Sequence, residues 1–244
     1  MRLAAEAPAA TMVDLATATV RELNATLHGA SGGERYRVLR PAGRHAIAAG
    51  LDAAIDVEID GSVGYYCAGM NQHATVRVHG TCGVGVAENM MSGRVTIAQN
   101  AGQSAAATAH GGLLVVHGDA AARCAISLKG ADVVVAGSVG HASAFMAQSG
   151  RLVVCGDAGE GLGDCLYEAR IYVGGTVAAL GADCVEKELR GEHADELAEL
   201  LAAAGIDADP ARFRRYGSAR RLYHFRSQTL TQAQPPTQSG EESP

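Results

Sequence analysis

Tryptophan is absent from this chain, and phenylalanine occurs only three times in 244 residues. A core built on large rings is therefore excluded, and whatever packs inside must be mainly small and aliphatic. Prolines number six, and all of them lie outside residues 51 to 190. Every position in that interval can donate to a backbone ladder. No apolar run reaches the roughly 18 residues that a membrane-spanning helix needs. The opening segment MRLAAEAPAATMVDLA carries Glu6 and Asp14. It reads poorly as a signal peptide, so a cytoplasmic location is expected. The six cysteines, at positions 67, 82, 124, 155, 165 and 184, form no C-x-x-C pair. That argues against a zinc ribbon or an iron–sulfur site and predicts reduced, mostly buried thiols. A formal net charge of −6 excludes a surface-wide nucleic-acid footprint.

What is plentiful is glycine, at 31 residues, and it is periodic. Gly61, Gly80, Gly118, Gly137, Gly156 and Gly175 fall on a 19-residue grid from which Gln99 departs. Four positions before each grid point stand Val57, Val76, Val95, Leu114, Val133, Leu152 and Ile171. Two before stand Ile59, Val78, Ile97, Val116, Val135, Val154 and Val173. Three after stand Gly64, Gly83, Gly102, Ala121, Gly140, Gly159 and Ala178. Apolar pairs two apart are strand periodicity with one face inward. A unit this short cannot bury its own apolar face, but stacked on its neighbours it can. The repeat therefore predicts an all-β fold, a right-handed parallel β-helix of about seven 19-residue coils. The grid glycines become coil corners that need positive φ or close backbone approach. Gln99, Ala121 and Ala178 are expected to loosen their corners.

The flanks break the period. Residues 1–50 are read as an N-terminal helix and capping strands. The helix spans about 14–28, with Val20, Leu23 and Leu27 on one face and Thr17 or Thr19 as its cap. Residues 51–190 form the β-helix. Residues 191–226 hold a C-terminal helix, with Leu197, Leu200 and Leu201 apolar and Gly205 as its stop, followed by a basic arm. Residues 227–244, rich in Gln, Thr, Ser and Pro, read as a disordered tail.

Function must lie on outward columns. Three positions before each grid point come Glu58, Arg77 and Thr96, then Val115, Val134, Val153 and Tyr172. With Leu113 these last four form an apolar stripe, and such a stripe needs a cover. Either a terminal helix of the chain or a partner subunit supplies it. Arg212, Arg214, Arg215, Arg220 and Arg221 crowd the C-terminal arm, interleaved with Tyr216, Tyr223 and Phe225. The arm is either solvated or a strap that docks on an acidic partner face. A partner interface is accordingly assigned to Leu113, Val115, Val134, Val153, Tyr172, Arg214, Arg215, Arg220, Arg221 and Tyr223. DGSVGYYCAGMNQ, holding Tyr65, Tyr66, Cys67, Met70 and Asn71, is the most chemically varied loop. It reads as an ordinary corner or as a surface facing a partner's cofactor.

Catalytic patterns are sparse. The histidines are scattered, and none stands at a spacing such as H-E-x-x-H. His79 and His117 share a column, with Ala98 between them. GVGVAEN is a repeat corner rather than a phosphate cradle, because no helix follows it. Cys165 and Cys184 occupy one column of adjacent coils and are expected to stay reduced. Asp56, Glu58 and Asp60 cluster on the first coil, either as a solvated edge or as the site of a stand-alone β-helix enzyme.

The repeated glycine corners with apolar pairs before them resemble the GXGXG β-helix domain, over roughly residues 51 to 189. That domain ends the glutamate synthase large chain and is also seen as a separate chain of formylmethanofuran dehydrogenase. VGYYCAGMN, GVAENMMSG, GHASAFMAQSG, VCGDAGEGLGD, LGADCVEKE and DPARFRRYGSARRLYHF narrow the resemblance, over about residues 12 to 226. They resemble the free-standing GXGXG subunit of N-methylglutamate synthase and the similar GlxC proteins. The resemblance implies a scaffold without catalytic, cofactor-binding or metal-binding residues of its own. Its implied partners are a glutamine-amidotransferase-like subunit and a flavin-binding, glutamate-synthase-like subunit. FMN, with or without an iron–sulfur cluster, would sit in a partner; no nucleic acid or membrane is implied. The implied reaction joins methylamine to L-glutamate, giving N-methyl-L-glutamate and ammonia. A glutamine-dependent complex acting on another amine is the alternative.

Overall fold

Seven short parallel strands, one from each repeat, stand directly above one another. The computed structural model describes residues 9–220. In chain order the elements are β1 (Thr11–Asp14), α1 (Val20–His28), β2 (Arg35–Leu39), β3 (Asp56–Asp60), β4 (Thr75–Val78), β5 (Arg94–Ile97) and β6 (Leu113–Val116). There follow β7 (Lys129–Val135), β8 (Ser149–Val154), β9 (Arg170–Val173), β10 (Cys184–Lys187), α2 (Gly191–Ala204), a 3-10 turn (Pro210–Arg212) and β11 (Arg214–Ser218). Val57 pairs with Val76, Val76 with Val95, and so on to Ile171, so the sequence grid is the strand register. The chain is a β-solenoid of about seven turns.

Both inward columns are buried along their whole length. Most of their side chains are Val or Ile, which suit a pleated wall because the branched Cβ packs on its neighbours above and below, and Leu114 and Leu152 fill the same column. A second wall stacks at the corner, where Val63, Cys82, Ala101, Ala120, Val139, Ala158 and Val177 form a column of parallel bridges. The third side of each coil alternates in handedness. Tyr66, Ala68 and Met70 all have positive φ, as do Ser104, Ala106 and Thr108 two coils on. Left-handed backbone costs a non-glycine residue about 1–2 kcal/mol, and here ladder bonds offset it. Tyr66 N–H donates to Val84 O in the next coil (2.9 Å), and Ala68 N–H to Ile47 O in the coil before (3.0 Å).

The grid glycines are required mainly for room. Positive φ occurs at Gly61 and at none of the other five grid glycines. The reason is a column of polar residues one position further on. Ser62, Thr81, Asn100, Asp119, Ser138, Asp157 and Thr176 each follow a grid point. Along much of this column a side-chain oxygen accepts from the backbone N–H of the matching residue one coil on. Asp119 N–H donates to Asn100 Oδ1 (2.9 Å), Ser138 N–H to Asp119 Oδ1 (2.8 Å), and Asp157 N–H to Ser138 Oγ (3.0 Å). A Cβ on Gly137 would stand 2.2 Å from Asp119 Oδ1, inside the space that this rung occupies. Gln99 does carry a Cβ, and there the rung is missing. Thr81 Oγ1 instead donates to Gln99 Oε1 (3.1 Å).

The stack continues below the regular repeat. β2 pairs in parallel with β3 through Tyr36 and Val57, and β1 pairs with β2. α1 plugs this end, burying Leu23 and Leu27 in the main core. Its start is a capping box: Thr19 Oγ1 accepts from Glu22 N–H, and Thr19 N–H donates to Glu22 Oε2. Asn24 ties it down, donating to Ala46 O (2.8 Å) and accepting from Ala48 N–H (2.9 Å).

The other end closes differently. β11 adds to the edge of β9 in the antiparallel sense, and β10 pairs antiparallel on its far side. Residues 214–218 are thus a sheet strand, with Tyr216 in the core, where a solvated or strap-like arm was expected. An antiparallel strand uses the open ladder of the last parallel coil, which no further repeat fills. The tail expected to be disordered, residues 227–244, lies outside the described residues, as do Arg221 and Tyr223.

Candidate functional site

The apolar stripe is a seam within the chain. α2 lies across it, and Val115, Val134, Val153 and Tyr172 pack with Leu197, Leu200, Leu201, Ala204 and Phe213 in a second core. The four stripe residues are fully buried, and Leu113 is partly buried against them. They are therefore unavailable to a partner subunit, and that part of the assigned interface is corrected. The physical reason is length. A 14-residue helix extends about 21 Å, and four strands spaced about 4.8 Å apart fit beneath it. Gly205, at φ 71°, ends the helix in the left-handed cap read from the sequence.

Ions fasten both halves of α2. In its first half, Glu196 accepts from Tyr172 Oη (2.5 Å), Arg151 Nη1 (3.2 Å) and Arg170 Nη1. Burial raises the Glu196 pKa, but the Tyr172 hydroxyl and the two guanidinium groups outweigh it and hold it below the ordinary range. At the other end Arg94 Nη1 donates to Ala203 O (2.8 Å), placing a cation on the negative end of the helix.

The same column in the earlier coils stays open. Arg77 pairs with Asp56 (3.2 Å) and Glu58 (3.7 Å), and His79 Nε2 meets Glu58 Oε2. Arg37 pairs with Asp60 (2.7 Å). The acids of the first coil are thus partly exposed members of an ion-pair lattice. The His79–Glu58 contact arises between stacked coils, which is why no linear motif marked it.

At the neighbouring corner Tyr65, Tyr66 and Met70 are all about half exposed, at 50%, 49% and 55%. His45 stacks on Tyr65 with ring centroids 4.6 Å apart. Cys67 and Asn71 of the same loop point inward and are fully buried. This loop therefore splits into an outward aromatic and methionine rim and an inward packing set.

Of the C-terminal arginines, Arg214 Nη2 donates to Gly175 O (3.3 Å), Arg215 Nε to Glu188 O (2.9 Å), and Arg220 pairs with Asp183. All six cysteines are free, Cys165 and Cys184 included. Burial pushes the Cys124 thiol up to about 12 and the Cys184 thiol up to about 11. Protonated thiols of this kind are poor nucleophiles and poor metal ligands. No group of three His, Cys, Asp or Glu side chains among the described residues could hold a metal ion. No helix among them is long and apolar enough to cross a membrane.

Fold and surface together define a capped parallel β-solenoid with a filled interior, whose outward faces carry its polar chemistry. The chain belongs to the GlxC family. It is 58% identical over 218 residues to Protein GlxC of Rhizobium meliloti (strain 1021), a match covering 88% of this chain and 96% of that protein. Among solved structures it is similar to a chain of the formyltransferase/hydrolase complex (FhcABCD) from Methylorubrum extorquens, in complex with methylofuran. That likeness has a TM-score of 0.59 at 21% identity and covers 84% of this chain and 88% of the other. No protein-family model matches the chain.

Proposed function

We propose that this chain is a non-catalytic scaffold subunit of a glutamate-synthase-like enzyme complex in the cytoplasm. The complex is of the N-methylglutamate synthase type, converting methylamine and L-glutamate to N-methyl-L-glutamate and ammonia. A glutamine-amidotransferase-like subunit and a flavin-binding subunit are its partners, and FMN belongs to the latter. The observation that carries this reading is the filled interior. Both inward columns are buried from the first coil to the last, so the interior serves packing, and the outward faces are left for contact with the chains that would carry the chemistry. Membership of the GlxC family supports it. The similar solved chain is itself part of a multi-subunit enzyme complex, which supports a subunit role. Of the expected interface, Arg214, Arg215 and Arg220 remain on the outside and are its proposed contacts.

The test is affinity purification of the tagged full chain from its native host, followed by assay of the recovered complex. A flavoprotein and an amidotransferase-like protein should co-purify, and the complex should form N-methyl-L-glutamate from methylamine and L-glutamate. Recovery of the same partners with turnover of a different amine would replace the reaction but keep the scaffold. Recovery of the chain alone, or activity of the purified chain by itself, would overturn the proposal.

A further inference from the structure

Two pairs of cations stand in register on the last coils, and they are treated differently. Arg151 and Arg170 are parallel strand partners on β8 and β9. Like charges so placed repel, and the fold answers with two acids: Asp132 takes Arg151 in a bidentate pair (2.6 Å for each bond), and Glu196 Oε2 accepts from both guanidinium groups. Lys187 and Arg215 are antiparallel partners on β10 and β11. Among the described residues, neither makes an ion pair with a carboxylate. Arg215 spends its Nε on the Glu188 carbonyl, which carries no net charge. The Lys187 stem crosses Gly217, where a Cβ would come within 3.5 Å of Lys187 Cγ. Both side chains line a cavity of about 340 Å³, together with Arg170, Arg220 and Glu168. Glu168 makes no ion pair with any of these four cations. Burial, reinforced by the fields of Arg170 and Arg190, holds the Arg215 pKa below its ordinary value. The second pair thus repeats the arrangement of the first without its bridging acid.

We infer that this cavity is a carboxylate-binding site, in which a bound carboxylate bridges Lys187 and Arg215 as Glu196 bridges Arg151 and Arg170. Arginine supplies a planar fork for the two oxygens and lysine a point charge. Arg170 and Arg220 on the rim are already paired, with Glu196 and Asp183, which leaves Lys187 and Arg215, among the described residues, as the cations free to take the carboxylate. The carboxylate comes either from a small free acid or from an acidic side chain of a partner subunit. The site itself rests on the geometry of this chain and not on the proposed complex.

The probe is potassium L-glutamate, titrated into the purified full chain by calorimetry and by thermal melting, with potassium chloride at equal ionic strength as the control. A free-acid site gives saturable binding that weakens at least tenfold in Lys187→Met and in Arg215→Gln. Lys187→Met keeps the stem over Gly217 and removes the repulsion. Its melting temperature should rise above that of wild type when no carboxylate is present. If glutamate does not bind but wild-type chain recovers a partner from the host that Lys187→Met and Arg215→Gln both lose, the carboxylate is the partner's. Should glutamate fail to bind and partner recovery be unchanged in both variants, or should wild type recover no partner, the inference is wrong. The same holds if glutamate binds wild type and both variants equally. A host that yields no partner beside a chain that binds glutamate would sink the complex and leave the site standing.

Discussion

One outward column of the solenoid meets two fates. In β3 to β5 it reads Glu58, Arg77, Thr96 and stays in water as an ion-pair lattice. In β6 to β9 it reads Val115, Val134, Val153, Tyr172 and disappears under α2. The backbone beneath repeats in both halves: the paired columns keep their 19-residue register throughout, with one shift at the start of β7 and β8, between Lys129 and Asp132. Stacking therefore does not care what faces outward, since the ladder and the two inward columns hold it. The outward residues decide only whether another element settles there. Arg94 marks the border: it sits on β5 and closes the end of the helix that covers β6 to β9.

Swapping residues across that border gives the largest effect. Val134→Arg imports the polar half into the covered half and leaves a charge without a partner beneath α2. We expect a loss of about 3–5 kcal/mol, read by urea unfolding, with α2 amides losing exchange protection. The neighbouring grid glycine tests the ladder that both halves share. Gly137→Ala drives a Cβ into Asp119 Oδ1 and should cost about 2–3 kcal/mol. Glu196→Ala removes the acceptor of Arg170 and Tyr172 while Arg151 keeps Asp132, and about 1–3 kcal/mol should be lost. The reverse swap, Arg77→Val, breaks only exposed ion pairs and should move stability by less than about 1 kcal/mol. If Arg77→Val costs as much as Val134→Arg, the contrast between the halves is false.

The smallest effect concerns pH. The Thr176 backbone N–H, and then its hydroxyl, hold the Asp157 pKa below the ordinary aspartate range. Because the folded value lies below the unfolded one, its stabilisation is present above the unfolded pKa. It is lost as pH falls through the folded value. Asp157→Asn keeps an acceptor and removes the titration, so its melting temperature should fall less steeply between neutral pH and about pH 3.

How much of this was legible depends on reach. Val57 and Ile59, repeated six times more, announced both the strand and its register, because period two and period nineteen are properties of the chain read in order. Thr19 before Glu22, and Gly205 after Ala204, marked helix ends for the same local reason. The polar column from Ser62 to Thr176 was equally readable one position past the glycines. It explains those glycines better than positive φ does. The stripe at Val115 was visible, and a terminal helix was one of its two possible covers, but the choice between helix and partner was not: α2 begins at Gly191, and an amphipathic helix carries no address. Nor did RRYGS announce a strand, since its partner β9 lies some forty residues back and runs the other way.

By itself the order of residues determined the stacked coils, since each rung repeats the last and needs only its neighbour to be satisfied. Folding in three dimensions decided which face stays open, where the chain closes on itself, and which charges meet at Glu196 or face one another at Lys187 and Arg215. Those outcomes depend on pairs far apart along the chain, and the energy that joins them exists only after the stack has formed.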